Sequence, residues 1–154
     1  MMMSGSSGKL TGAILSVVVI FAVLVPEGSY PVLPNTMLDD NLVTVKNDIA
    51  EKISCKLHCY SSETDFGVHT LAYGQEFSWK FKINALRTTK YWCDMWFVTE
   101  EGANFKGGYT IYKANRDYDR CANDCHYSIR MDGVYQHALE DYTEGHDELI
   151  YPWP

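Results

Sequence analysis

The stretch Phe77-Ser78-Trp79-Lys80-Phe81-Lys82-Ile83-Asn84 alternates apolar and polar residues without a fault. A period of two puts Phe77, Trp79, Phe81 and Ile83 on one side of an extended chain and Ser78, Lys80, Lys82 and Asn84 on the other, the pattern of a half-buried β-strand. The inner side is largely aromatic and is expected to form the centre of a core. The outer side offers Lys80 and Lys82 as its partner-facing groups. Cys59, Asp65, Gly67, His69 and Leu71 precede this strand, and Thr88, Thr89, Trp92, Cys93 and Trp96 follow it.

Further short strands lie on both sides. Leu42 to Val45 is a short run, and Ile53 to Cys59 alternates so that Ile53, Cys55, Leu57 and Cys59 face inward together. Gly67 marks a position of special backbone geometry or close packing before the short strand Val68 to Tyr73. Aromatic and β-branched residues fill Thr89 to Val98, glycines punctuate the next turn, and Tyr109 to Lys113 returns as a strand. Ala114 to Asp124 reads as a polar loop, because no useful helical periodicity falls there. Alternation resumes from Cys125 to Met131, and Asp132-Gly133 is a hairpin turn leading into Val134 and Tyr135.

Seven to eight short strands separated by turn signals predict an all-β fold, a small antiparallel β-sandwich or, failing that, a small barrel. With 4 Trp, 11 Tyr and 6 Phe, its core should be rich in rings. Rings bury much area per residue, so a thin two-sheet core can be stable. Trp79, Trp92 and Trp96 are expected to pack inward rather than form a sugar-stacking platform.

The two ends of the chain differ from its middle. Lys9 is the sole charge before Glu27, and Ala13 to Val25 is apolar except for Ser16. That run is short of the ~20 residues that span a bilayer and suits the core of a signal peptide. Residues 1–29 are therefore expected to be a signal peptide, with an uncleaved anchor as the competing reading. Pro31 and Pro34 make residues 30–41 an extended segment, and the sandwich should occupy residues 42–138. Residues 139–154 carry Glu140, Asp141, Glu144, Asp147 and Glu148 without Lys or Arg, and read as a solvated acidic tail. The formal charge of −7 lies largely in this tail, and a chain without clustered Lys and Arg is a poor nucleic-acid binder.

Five cysteines fall beyond the apolar run: Cys55, Cys59, Cys93, Cys121 and Cys125. In an oxidising compartment two disulfides and one spare thiol is the simplest count. Five choices of the odd residue and three pairings of the other four leave fifteen arrangements, which the sequence alone does not rank.

Candidate chemistry is sparse. Zinc is disfavoured, since the Cys55/Cys59 and Cys121/Cys125 pairs should oxidise first. Bridged thiols likewise argue against a Cys/His nucleophile. Asn115, Asp117, Asp119 and Asp124 lack the spacing of a calcium loop, and Arg116 and Arg120 offer them ion partners. Asp65 with His69 could serve a small hydrolase only if the two side chains converge in a pocket. Neither a cofactor nor a metal is expected, and no catalytic residue is assigned.

The residues His58, Cys59, Ser61, Asp65, Gly67, His69 and Leu71, then Trp79, Phe81 and Asn84, then Thr88, Thr89, Trp92, Cys93 and Trp96, resemble the plant self-incompatibility protein family, the S-protein homologues. The resemblance continues through Phe105, Tyr112, Arg116, Asp117, Cys121, Cys125, Ile129, Arg130, Asp132 and Gly133. It implies a small secreted β-sandwich, extracellular and non-enzymatic, whose four characteristic cysteines are Cys59, Cys93, Cys121 and Cys125. Cys55, where the family pattern expects an apolar residue, is left as a free thiol or, alternatively, as one half of an intermolecular bridge. The best-known members of that family are pistil ligands recognised by a pollen membrane protein, so the implied partner is a receptor or other cell-surface protein. The contacts expected to serve it are polar: Ser61, Ser62, Glu63 and Thr64; Asn104 and Lys106; and Asn115, Arg116, Asp117, Asp119 and Arg120. The alternatives are a secreted glycan-binding or defence module and, more weakly, the Asp65/His69 hydrolase. Neither nucleic acid nor membrane insertion of the mature chain is expected, and a monomer is the expected state.

Overall fold

The computed structural model describes residues 40–140 and 144–154; the expected signal peptide and most of the extended segment after it lie outside the described residues. Among the described residues nine strands and one helix follow in order: β1 (Asn41–Asn47), β2 (Cys55–Tyr60), β3 (Asp65–Leu71), β4 (Glu76–Phe81), β5 (Lys90–Val98), β6 (Asn104–Lys113), α1 (Ala114–Cys121), β7 (Asp124–Arg130), β8 (Gly133–Glu140) and β9 (Glu144–Pro152). They build a five-stranded sheet, β4-β1-β7-β8-β9, and a four-stranded sheet, β3-β2-β5-β6. The small all-β fold expected from the alternation is therefore present.

The two sheets face one another across a shared hydrophobic core. Phe66 of β3 lies 5.3 Å from Trp79 of β4, Trp79 lies 5.4 Å from Tyr91 of β5, and Phe81 of β4 lies 4.8 Å from Tyr112 of β6, centroid to centroid. Ring spacings of this size add attraction beyond the buried area alone. Val43, Val45, Leu57, Met95, Ile111 and Ile129 fill the centre, each fully buried.

The opening strand sits differently from expectation. Its apolar residues do face the core, with Trp79 and Ile83 buried and Phe77 and Phe81 half-buried. β4 is nevertheless an edge strand, and the centre of its sheet belongs to β1 and β7. β1 pairs antiparallel with β4 but parallel with β7, so the sandwich is not wholly antiparallel. β1 is buried almost throughout, and so short a run does not reveal its direction.

Two segments expected to be irregular are ordered elements. The polar loop Ala114 to Asp124 contains α1, whose buried residues are Ala114, Asp117 and Cys121. That spacing fits a helix, but its middle member is an aspartate, so no apolar stripe advertises it. Asp117 ties the helix to the end of β6 by accepting a hydrogen bond from the Lys113 N–H at 2.6 Å. The acidic tail after residue 138 is the second correction, because Glu144–Pro152 forms β9 and pairs with β8 along its length. Its acids face solvent on the outer edge, while Ile150, Tyr151 and Trp153 pack on the core.

Glycine and asparagine fix the connections. Gly133 opens β8 where β9 passes so close that a Cβ would collide with the Tyr151 carbonyl and come within 2.9 Å of the Pro152 Cα. Asn47, fully buried, donates to the carbonyls of Ile53 (2.8 Å) and Leu71 (2.9 Å) and accepts from the Ile49 N–H. It holds the β1–β2 connection against the end of β3.

Cys59 and Cys93 form a disulfide between directly opposed residues of β2 and β5, with Cα atoms 4.1 Å apart. Cys121 and Cys125 form a second, joining the end of α1 to the start of β7. Each bridge stays within one sheet or its flanking helix, so the two sheets are held together by packing. Cys55 is free and fully buried, and burial pushes its thiol up to about 12.

Candidate functional site

Register places the connections. The end of β2 pairs with the start of β5, the start of β5 with the end of β6, and the end of β4 with the start of β1. The β2–β3 turn at 61–64, the β4–β5 loop at 82–89 and α1 therefore gather at one end of the sandwich.

Local hydrogen bonds make that end rigid. Ser61 Oγ accepts from the N–H groups of Glu63 (3.2 Å) and Thr64 (3.0 Å), closing the β2–β3 turn. Asp65 Oδ1 accepts from the Gly67 N–H at 2.8 Å, a local aspartate turn that uses Gly67 at φ 71°. The same oxygen lies 2.8 Å from His58 Nε2. These two contacts, the Gly67 N–H first, hold the exposed Asp65 carboxyl below its ordinary range. In the next loop the Asn84 side chain donates to Thr88 Oγ1 at 2.7 Å and accepts from the Thr88 N–H at 2.8 Å. Thr89 Oγ1 accepts from the Asn84 N–H, and the Thr89 carbonyl takes the Ala114 N–H at the start of α1. The Arg87 guanidinium lies over the Tyr118 ring at 5.0 Å, completing the link between loop and helix.

Between the turn at 61–64 and the loop at 82–89 lies an open cleft of about 350 Å³, bordered by Ser61, Ser62, Glu63, Lys82, Asn84 and Thr88 and closed at one side by Trp92. Ser62, Glu63 and Thr64 are exposed, as are Asn115 and Asp119 on α1. Hydroxyl, amide, ammonium and carboxylate groups thus stand on a pinned backbone at one edge of the fold, an arrangement suited to polar recognition.

Other residues expected to contact a partner lie elsewhere. Asp117 is fully buried, and Arg116 bonds it twice, Nε to Oδ1 at 2.7 Å and Nη2 to Oδ2 at 2.8 Å. Burial alone would lower the Arg116 pKa, but Asp117 and the Tyr151 hydroxyl raise it, so the guanidinium stays charged. Arg116 and Asp117 are consequently structural, and only a helix explains why neighbouring residues of one polar run differ so much in exposure. Arg120 is half-buried and engaged with Gln136 and Glu148. Asn104 lies in β6 opposite Val98, at the far end of the sandwich. Lys106 is on the solvent face of the same strand.

The hydrolase arrangement does not form. His69 sits opposite the buried Leu57 on the inner face, where its Nε2 lies 2.8 Å from the Phe66 carbonyl and its ring stacks on Phe77 at 4.1 Å. Asp65 is turned outward to His58. The two side chains share no pocket. Among the described residues no group of three or more His, Cys, Asp or Glu is placed to hold a metal ion, and no helix is long and apolar enough to cross a membrane.

Trp92 and Trp96 correct a further expectation. On β5 the buried set is Tyr91, Cys93, Met95 and Phe97, which turns Trp92, Asp94 and Trp96 outward, each half-buried. Both faces of this strand carry large apolar residues, so alternation alone did not choose between them. The disulfide at Cys93 chooses.

The family model described as plant self-incompatibility protein S1 matches residues 42–153, the span of the two sheets. The chain belongs to that family. It is 40% identical over 111 residues to S-protein homolog 24 of Arabidopsis thaliana, covering 72% of this chain and 67% of that protein. Similarity to S-protein homolog 28 of the same plant is 39% over 98 residues, covering 63% of this chain and 59% of the relative. Self-incompatibility protein S1 of Papaver rhoeas is 32% identical over 94 residues, covering 60% of this chain and 65% of that protein. The matched regions thus span about three-fifths to two-thirds of these relatives. A solved structure described as a self-incompatibility protein homologue, from a widespread family of small, highly stable, secreted plant proteins, superposes with a TM-score of 0.54 at 21% identity. It covers 75% of this chain and 96% of its own and shows the same fold.

In this family member, several residues of the resemblance pin the backbone. Asp65 and Gly67 close one turn, Asn84, Thr88 and Thr89 lock one loop, and Arg116 with Asp117 anchors the helix.

Proposed function

We propose that this chain is a secreted, non-enzymatic recognition protein that binds a cell-surface protein through the loop-bearing end of its sandwich. The observation that carries the reading is the meeting of the 61–64 turn and the 82–89 loop around one polar cleft, with α1 tied to the same loop. Family membership supports it, since the relatives are named for self-incompatibility and the related solved structure is described as a secreted protein. The contact set consists of Ser62, Glu63 and Thr64 from the turn and Asn115 and Asp119 from the helix, all exposed. Variation at these positions leaves the core untouched, which is how a fixed scaffold carries changeable specificity.

The test is saturable binding of the labelled, purified protein to intact plant protoplasts. Charge reversal by Glu63→Lys with Asp119→Lys should weaken binding at least about tenfold, in keeping with loss of a central polar contact. Lys52→Glu, at the opposite end, should leave it unchanged. Equal affinity for all three proteins, with melting temperatures unaltered, would place the contact elsewhere.

A further inference from the structure

The outward face of β5 carries two indoles with a carboxylate between them. Trp92, Asp94 and Trp96 share this face, and Trp92 and Trp96 stand about 13 Å apart along the strand. Tyr60 of β2 stacks beside Trp92 at 6.0 Å. Lys56 of β2 and Lys106 of β6 pair with Trp96 from either side, and both are exposed. Opposite Asp94 the β6 partner is Gly108, where a Cβ would stand 2.6 Å from Asp94 Oδ1, so the missing side chain keeps the carboxylate open. A groove of about 300 Å³ results, lined by His58, Asp94, Trp96 and Lys106. The cleft bordered by Trp92 adjoins the other end of the row and adds Lys82 and Lys90.

The chemistry of the groove narrows its occupant. Flat indole faces take up the C–H face of a sugar ring, and a carboxylate between them accepts hydroxyl hydrogen bonds. Among the described residues the Asp94 carboxylate has neither a hydrogen bond nor an ion pair within the chain, so it is free to accept. Lysines beside each indole supply local positive charge on a chain whose formal charge is −7, which suits an acidic ligand. Two stacking sites this far apart exceed one ring. A nucleic-acid strand would share the stacking, but it offers the Asp94 carboxylate fewer ring hydroxyls to accept from than an oligosaccharide does.

The geometry points to a binding site for an acidic oligosaccharide, a chain of uronic-acid rings stacked on Trp96 and Trp92, with hydroxyls on Asp94 and carboxylates on Lys106 and Lys56. It does not depend on whether the loop end of the sandwich binds a protein.

The experiment is calorimetric titration of the purified protein with a hexamer of galacturonic acid, followed in parallel by tryptophan fluorescence. A neutral cello-oligosaccharide of equal length and a single-stranded oligonucleotide serve as comparison ligands. The galacturonate hexamer should bind, more weakly as salt rises, and the neutral hexamer at least about tenfold more weakly, a difference of roughly 1.4 kcal/mol. Trp96→Ala and Lys106→Glu should each cost a similar factor, while Glu144→Lys, on the exposed edge strand of the other sheet, leaves the affinity unchanged. Lys106→Glu changes an exposed side chain, so it reads out even if Trp96→Ala fails to fold. Absence of galacturonate binding by the unaltered protein, equal binding of the neutral hexamer, tighter binding of the oligonucleotide, or an unaffected Lys106→Glu would each overturn the assignment.

Discussion

Arg116 donates from Nη1 to the Tyr151 hydroxyl over 2.7 Å, tying α1 to the last strand across 35 residues of sequence. Nη2 also donates to the carbonyls of Thr110 (3.1 Å) and Ile111 (3.0 Å) at the end of β6, and Tyr151 Oη donates to the Thr110 carbonyl at 2.8 Å. Asp117 closes the network, accepting from the Lys113 N–H and from Gln136 Nε2 of β8 as well as from Arg116. Three strands, β6, β8 and β9, thereby share with α1 one charge pair whose carboxylate is buried.

Removing one member should cost far more than trimming the network's edge. Arg116→Met leaves Asp117 buried without its counter-charge and should lower unfolding stability by about 3 kcal/mol. Tyr151→Phe removes one hydroxyl and should cost about 1 kcal/mol. Urea unfolding of both variants checks the ratio. Similar losses in the two would show that the charge pair is not what stabilises this junction.

The last strand should be indispensable although its sequence reads as a tail. Trp153 lies 5.5 Å from Phe97 and 6.4 Å from Phe105, and its indole N–H donates to the Arg130 carbonyl at 2.9 Å. A chain ending at residue 143 loses these contacts and the β8 pairing, and exposes apolar surface that favours association. Such a truncation should aggregate or melt well below the full protein in a thermal scan with size-exclusion analysis. An equally stable, monomeric truncation would restore the tail reading.

What the sequence made legible was whatever a single strand decides alone. The alternation from Phe77 to Ile83 specifies a strand and its inner face, because apolar and polar residues differ sharply there. It does not say that β4 is an edge, since sheet order depends on pairings between distant residues. Trp92 and Trp96 were misplaced because β5 is apolar on both sides. α1 was missed because its residues are mostly polar, and β9 because acids lead it, while Asp117 and Tyr151, their anchors, signal nothing until Arg116 is beside them. The turn at 61–64 was legible as a polar surface. Its meeting with the 82–89 loop, through Asn84, Thr88 and Thr89, was not.

Cys55 should be silent toward thiol reagents in the folded state. It is fully buried, and a thiol pushed up to about 12 presents almost no thiolate near neutral pH. The unreduced protein should therefore release no colour from a disulfide-exchange reagent at about pH 8 and one equivalent per chain after denaturation. Rapid reaction without denaturant would mean that the core around Cys55 opens readily. Zero equivalents after denaturation would mean that this cysteine is itself bridged.

Acid should loosen the five-stranded sheet at Asp147. This carboxylate meets His137 Nδ1 at 2.9 Å and is paired with Arg130, joining β9 to β8 and β7. The hydrogen bond with His137, then that from Arg130, holds its pKa below the ordinary carboxylate range. A folded value below the unfolded one of about 3.9 means that the stabilisation is complete above that pH and is lost as pH falls through the folded value. Asp147 is considerably exposed, so its contribution should stay below about 1 kcal/mol. On the same face Asp48, raised by burial but lowered more by Ser128 and Lys46, adds a loss of the same sign. Asp147→Asn should consequently shift the urea midpoint downward at about pH 6 and converge on the unaltered protein by about pH 2.5. A constant gap between the two across that range would show that the proton-linked stability does not reside at Asp147.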